Sequence, residues 1–346
     1  KNRAKVFFKG VDKTNSRVFK IEMKFKKKSI KINNDSSLDS GINIDIAKSM
    51  LDVYENTFQV IKNNKKPEAD ISSSIHALEV ANKASKKLFP AYNTIGAEEK
   101  KAVNRVLDSG VLSKYVGVWG KNFYGGDEVK KLEREWQKRF KVKHAIAVNS
   151  CTTGLQAAVG ASGIKKGDEV IVSPYTMSAS AVAPLWYGAK PVFADIEEEY
   201  LCLDPKSVES KITKRTKAII IVDLFGQPYD REAINKIAKK HNLMVIEDCA
   251  QAIGAEYKNK YAGTLGDVGV YSLNFHKHIH TGEGGIVVTN SDKIADKVRL
   301  IRNHAESVVK EKGDKDSVNM IGSNFRLTEI QAAIARAQLL KLDKLL

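Results

Sequence analysis

The chain has 346 residues, 42% hydrophobic and 28% charged, with 57 Lys and Arg against 41 Asp and Glu for a formal charge of +16. That length and apolar fraction support one large core or two domains and exclude a disordered or fibrous protein. The basic balance suits a nucleic-acid binder and equally an enzyme whose substrates carry phosphates or carboxylates, so charge alone does not choose.

No stretch approaches the roughly 20 apolar residues that span a bilayer, and the lysine-rich N-terminal stretch lacks the apolar block of a signal peptide. A cytoplasmic location without membrane attachment is expected. The three cysteines, Cys151, Cys202 and Cys249, have no paired spacing. They read as small buried residues of a reducing compartment rather than a disulfide framework. The chain starts with lysine and stops at Leu346 inside a helical pattern, so both ends are expected to be cut from a longer protein.

Over residues 17 to 33 apolar and polar residues alternate, with Phe19, Ile21, Met23 and Phe25 on one face and lysines on the other. This is the period of a half-buried strand, and it predicts a short antiparallel sheet. The run Lys26, Lys27, Lys28 reads as a solvated turn rather than a nucleic-acid patch. A helical pattern follows through Ile46, Met50, Val53, Tyr54, Phe58 and Ile61, closed by the turn that ends at Pro67, and a second helix is predicted over residues 73 to 87.

Beyond residue 88 helical patterns alternate with short β-branched runs at residues 145–148, 169–172, 191–194, 218–222 and 243–247. Strands separated by helices predict an α/β fold with a mostly parallel sheet covered on both faces. Ligands of such sheets sit beyond the carboxyl ends of the strands. Polar residues cluster there: 149–153 after one strand, 173–176 after the next, and 248–251 after a third.

The segment Ser272 to Gly285 reads SLNFHKHIHTGEGG. A serine stands five residues before Lys277, and a Gly-Glu-Gly-Gly run begins five residues after it at Gly282. With Asp248-Cys-Ala-Gln251, the Asn-Ser-Cys-Thr-Thr turn at 149–153, Ser173-Pro-Tyr-Thr-Met177, Leu224-Phe-Gly-Gln227 and Gly322-Ser-Asn-Phe-Arg-Leu-Thr-Glu-Ile-Gln331, this resembles the fold-type I sugar aminotransferases of the DegT/StrS family. The resemblance runs from about Ala91 to the end. It implies the large domain of a pyridoxal-phosphate (PLP) transferase over residues 89–346, with the smaller carboxyl-terminal domain of relatives cut short at Leu346.

The resemblance also implies roles. Lys277 is the Schiff-base lysine, whose amine provides a preformed linkage for exchange and then shuttles a proton as general base and acid. Asp248 is the carboxylate that keeps the ring nitrogen protonated. Cys151, Thr152 and Ser272 lie at the phosphate, in and beside the turn before a helix expected from Gly154 to Ala161, whose start offers backbone amides. Gln251 contacts the ring hydroxyl, Met177 lies at the ring face, and Asn324 reaches the phosphate of a neighbouring subunit in a homodimer. Two residues depart from the pattern. Cys151 stands where many relatives have glycine, and Met177 where relatives often have an aromatic, although a polarizable thioether also lies well on a π face.

Plainer readings exist for each residue taken alone. A lysine between histidines is usually a surface lysine, and an aspartate after a strand is usually a helix cap. Helix packing accounts for Asn324, Met177 and Tyr175 nearly as well as cofactor binding does. For Lys277 and Asp248 the ordered set of motifs outweighs these readings. His276, His278 and His280 alternate and would share one face of a strand, yet metal sites recruit ligands from more than one element, so no metal is expected.

The function implied is transfer of an amino group, with glutamate the expected donor, to a keto group of a nucleotide-linked sugar, in amino-sugar or surface-polysaccharide synthesis. Two alternatives stand beside it: a PLP-dependent sugar dehydratase, whose family carries histidine in place of Lys277, and a catalytically inactive basic binding protein. Residues 1–88 loosely resemble the end of a Gfo/Idh/MocA-type sugar oxidoreductase through Tyr54-Glu-Asn-Thr-Phe58-Gln-Val-Ile61, the Pro67 turn and Ser74-Ile-His-Ala-Leu-Glu-Val80. No glycine-rich dinucleotide loop lies in that segment.

Overall fold

A computed structural model describes three N-terminal strands together with residues 94–305 and 320–346. The chain divides into two units, Lys1–Tyr92 and Asn93–Leu346. In the first, β1 (Lys5–Phe8), β2 (Lys20–Lys24) and β3 (Ser29–Asn33) form an antiparallel sheet in that order, with Ile21 opposite Ile32. The alternation read over residues 17 to 33 thus falls on β2 and β3. The lysine run at 26–28 and the two helices expected before residue 88 lie outside the described residues.

The second unit is built on a seven-stranded sheet of order β4-β12-β11-β8-β7-β5-β6. Its strands are β4 (His144–Val148), β5 (Glu169–Val172), β6 (Lys190–Phe193), β7 (Thr216–Val222), β8 (Met244–Asp248), β11 (Val268–Ser272) and β12 (Gly285–Thr289). A small hairpin, β9 (Glu256–Tyr257) with β10 (Lys260–Tyr261), stands apart. β12 runs antiparallel to both β4 and β11, and the other neighbours are parallel. Two reversals cancel, so β4 points the same way as the five parallel strands. Their six carboxyl ends share one edge with the start of β12.

The central strands are buried on both faces, which is why they read as unbroken runs such as Ile219, Ile220 and Ile221 rather than as alternation. On one face lie α3 (Cys151–Ala161), α4 (Ser178–Leu185) and α7 (Asp292–Arg302), which pack Leu155, Val159, Val298 and Ile301 against Val148, Val172 and Val270. The other face carries α2 (Asp127–Phe140), α6 (Arg231–His241) and α8 (Glu329–Leu340). Along α2 the residues Val129, Leu132, Trp136 and Phe140 recur at helical spacing and are fully buried. α1 (Ala97–Asp108) lies against α8, while α5 (Pro205–Ser210) and α9 (Leu342–Leu345) are short.

Two acidic side chains fix the frame of the edge that carries the strand ends. Glu329, in the first turn of α8, accepts from the amides of Gly126 at 3.1 Å and Glu128 at 2.8 Å, and so caps α2 from outside. Glu133 of α2 accepts from the Ala147 amide at 3.0 Å and from Arg302 Nη1 at 2.6 Å, and the same guanidinium nitrogen donates to the Ala147 carbonyl at 3.1 Å. The outer edge of β4 therefore has side-chain partners at Ala147 and a short backbone bridge from Val148 to Arg326 in place of a full strand.

Candidate active site

The sequence places the phosphate turn ahead of a helix that starts at Gly154, but the helix begins earlier. Ser150 is extended, and its hydroxyl accepts from the Thr153 amide, so α3 starts at Cys151. Thr153 Oγ1 in turn donates to Asn149 Oδ1 at 2.6 Å. Cys151 and Thr152 then occupy the first turn, whose amides have no carbonyl of their own helix to bond. Thr152 is exposed and Cys151 half-buried. Cys202 and Cys249 are buried as expected, and all three thiols are free.

The glycines after Lys277 have a steric cause. A Cβ on Gly285 would lie 2.7 Å from the Cys151 nitrogen and from Ser150, so the start of β12 passes directly behind the start of α3. Gly282 adopts φ of 81°, a conformation open to glycine at no steric cost. A Cβ on Gly154 would meet Val270 Cγ1 at 2.6 Å, which holds α3 close against β11.

Asp248 closes β8 and is buried, 4% exposed. Its Oδ2 accepts from Ser180 Oγ at 2.7 Å, its Oδ1 accepts from the Ala250 amide at 3.1 Å, and the Cys151 thiol stands 3.9 Å from Oδ1. Burial pushes the carboxyl above its usual range, while the Ser180 hydroxyl, the Ala250 amide and the Lys277 ammonium pull the other way. Burial also raises the Cys151 thiol well above its ordinary value, helped by Asp248 and opposed by Lys277. The Lys277 charge is therefore felt both at Asp248 and at the start of α3. Lys277 itself is half-buried, in the turn after β11 that its own amide closes by donating to the Asn274 carbonyl at 2.9 Å.

Ser272, the last residue of β11, is buried, and its hydroxyl accepts from the Asn274 amide at 3.2 Å, which shapes the loop leading to Lys277. Gln251 accepts from the Phe225 amide through Oε1 at 2.9 Å, leaving Nε2 as the atom left to donate. Phe225 has left-handed backbone angles of 54° and 21° and is 71% exposed, an unusual conformation for an aromatic residue. Met177, the residue before α4, is equally exposed at 71%, and the Tyr175 ring meets Phe225 edge-on at 6.4 Å. Asn324 is exposed. Its carbonyl accepts from Asn149 Nδ2 at 3.3 Å and its Oδ1 from the Arg326 amide, so within its own chain it borders the turn that starts α3.

Lys277, Asp248, Cys151, Thr152, Ser272 and Gln251 thus gather at the strand-end edge, with Met177 at the start of α4 and Asn324 beside Asn149. His276, His278 and His280 fall on a turn and not on a strand, so the shared face read from their alternation does not form. The described residues do hold one compact group of ligand-type atoms, Asp223, Glu247 and Cys249, all buried. By strand alternation Glu247 and Cys249 face away from the side to which Asp248 points. Each is already bonded: Glu247 accepts the amides of Gly263 and Leu265, and Asp223 takes the Cys249 thiol at 3.1 Å and the Tyr229 amide. The sequence motifs leave out Ser180 and include Phe225 only as part of Leu224-Phe-Gly-Gln227, with no role of its own. A signal existed for the first, one of the two serines in the otherwise apolar stretch SASAVAPL.

Comparison with known proteins gives a concordant result. Residues 93–346 match the DegT/DnrJ/EryC1/StrS aminotransferase family. The chain is 39% identical over 257 residues to the spore coat polysaccharide biosynthesis protein SpsC of Bacillus subtilis, covering 72% of this chain and 63% of that protein. It is 39% identical over 258 residues to GDP-perosamine synthase of Escherichia coli O157:H7, covering 74% and 67%. Among solved structures, an aminotransferase from Psychrobacter cryohalolentis superposes with a TM-score of 0.66 at 36% identity, over 74% of this chain and 64% of that one. An E. coli GDP-4-keto-6-deoxy-D-mannose-3-dehydratase with bound hydrated PLP does so with a TM-score of 0.64 at 31% identity, over 73% and 67%. The chain therefore spans about two thirds of the length of the proteins it matches.

Proposed function

The chain belongs to the DegT/DnrJ/EryC1/StrS aminotransferase family, and from that premise we propose that it transfers an amino group, with PLP as cofactor and glutamate as donor, to a keto group of a nucleotide-linked sugar. The observation that carries this reading is the meeting of Lys277, Asp248 and the first turn of α3 at one sheet edge, where the Cys151 thiol stands 3.9 Å from the Asp248 carboxylate. The donor set fits the cofactor: a buried carboxylate for the ring nitrogen, a helix start with open amides for the phosphate, and the Gln251 amide for the ring hydroxyl. Bound PLP supplies the electron sink and the carbon that carries the amine from donor to acceptor. Lys277 holds the cofactor and then moves a proton with its freed amine. Asp248 keeps a positive charge at the ring nitrogen, and the amides of Cys151 and Thr152, with Ser272, hold the phosphate.

PLP added to the purified protein should raise a visible absorbance band, and borohydride should fix the cofactor onto the peptide that contains Lys277. Lys277→Ala should lose both, and a band that persists in that variant sinks the assignment. Keto-sugar nucleotides screened with glutamate should then yield 2-oxoglutarate in step with product. Sugar deoxygenation without an amine in the product would favour the dehydratase reading instead.

We extend the proposal to assembly and to the N-terminal unit. Asn324 serves the phosphate of a partner subunit in a homodimer, so Asn324→Ala should weaken PLP retention and light scattering should give twice the chain mass. Residues 1–88 are the end of a sugar oxidoreductase joined to the aminotransferase large domain at 89–346. What supports that is the motif resemblance, together with the antiparallel strands that the alternation over residues 17 to 33 predicts. Such a joining would couple keto-group formation to amination.

A further inference from the structure

Ser180 is fully buried in the first turn of α4, in a segment whose other side chains there are small. Its hydroxyl donates to Asp248 Oδ2 at 2.7 Å, the shortest of the contacts made to that carboxylate. The opposite oxygen has the Ala250 amide and, at a longer distance, the Cys151 thiol. The carbonyl of Met177, the residue before α4, accepts the Ser180 amide at 3.4 Å, so Ser180 is held by the same turn that starts the helix at the site's edge.

Resting on the reading of Asp248 as the partner of the PLP ring nitrogen, we propose that Ser180 is a positioning residue that keeps the Asp248 carboxylate ionised and fixes its plane. The argument is one of competing proton affinities. A buried carboxylate facing a pyridine shares one proton with it, and the proton rests on the more basic of the two. Burial raises the proton affinity of Asp248 and so strengthens its claim. A hydroxyl that donates to the carboxylate stabilises its anionic form, lowers its basicity and so leaves the proton on the ring. Removing the hydroxyl reverses the preference, giving a neutral acid beside a neutral ring while the cofactor still fits. Ser180 acts through the Asp248 carboxylate, the group its hydroxyl bonds.

The test reads the proton directly. The full chain is loaded with PLP labelled with nitrogen-15 at the ring, and the nitrogen shift is followed from about pH 6 to about pH 9. The wild type should keep the protonated-ring signal across this range. Ser180→Ala should titrate toward the unprotonated signal within this range, and Ser180→Thr, which restores a hydroxyl, should return the wild-type curve. A Ser180→Ala curve that overlays the wild type overturns the proposal, as does a shift that threonine fails to rescue. If Ser180→Ala does not fold, Ser180→Cys, a weaker donor of similar size, should give a smaller shift of the same sign, and no shift there overturns the idea equally. Asp248→Asn separates the two levels: if it leaves the ring signal unchanged, the reading of Asp248 itself fails and Ser180 falls with it.

Discussion

Arg302 Nη1 donates to Glu133 Oε1 at 2.6 Å with both side chains buried, and through Ala147 the pair also closes the free edge of β4. Removing one member leaves the other as an uncompensated buried charge, which costs about 3–5 kcal/mol, whereas replacing both with apolar groups of similar volume is often near neutral. Glu133→Ala should therefore lower the urea midpoint sharply, and Glu133→Leu with Arg302→Met should recover most of the loss. A single variant within about 1 kcal/mol of wild type would mean that the pair behaves like a solvated one.

Asp248→Asn keeps the shape and much of the hydrogen bonding of the site but removes its charge. PLP binding should survive while turnover falls by about a hundredfold, on the order of 3 kcal/mol in the transition state. Steady-state rates at saturating PLP are the measurement. Loss of folding without cofactor would make Asp248 a structural cap, and wild-type turnover would reassign the ring's partner.

Gly285→Ala tests the contact behind α3. The added methyl would stand 2.7 Å from the Cys151 nitrogen, against backbone that has no flexible side chain to give way. The first turn of α3 must move, and PLP retention on gel filtration should drop by about tenfold or more while the chain stays folded, an effect of about 1.4 kcal/mol. Retention equal to wild type would show that the phosphate does not depend on that turn.

The pair Asp223 and Glu247 gives stability a particular pH dependence. Burial raises both carboxyls, with the Asp248 charge adding to the rise of Asp223 and the Asp223 charge to that of Glu247, so the folded chain binds protons more tightly than the unfolded one. The sign follows: stability from these groups is greatest near the ordinary carboxylate range of about pH 4 and declines as pH climbs toward their raised folded values. Asp223→Asn removes one such group. Its stability difference from wild type should therefore shift in the variant's favour from about pH 5 to about pH 8, read by urea unfolding at several pH values. A constant difference would mean that Asp223 does not titrate there.

Much of this site was legible because its motifs are local. Ser272, Lys277 and Gly282 lie at the end of β11 and in the loop after it, and Asp248 and Gln251 at the end of β8 and just beyond, so the resemblance could be read from short motifs. The strands at 169–172 and 218–222 were legible as β-branched runs. β11 and β12 were not, since Gly269 interrupts one and Gly285 opens the other, and both glycines answer to distant backbone: a Cβ on Gly269 would come within 2.0 Å of the Gly263 carbonyl oxygen. The start of α3 was misplaced by three residues because the cap is Ser150, a residue that reads equally well as part of a turn. Ser180 with Asp248, Gln251 with Phe225 and Arg302 with Glu133 are pairings that only the fold brings about.

The placement of β12 also governs when the site can come into being. β4 ends at the turn that starts α3, yet its strand partner within the described residues is β12, with Val148 opposite Gly285 near the far end of the domain. Closing so long a loop costs conformational entropy before any contact returns it, and pairings of this separation form late. On the ribosome, at about 5–20 residues per second, β5 through β8 can emerge and begin to associate while β4 still waits for its neighbour. Chains interrupted before Gly285 would thus carry Asp248 and Ser180 on an assembled half-sheet, but with an unsupported α3 and an unpaired β4 that other strands could join.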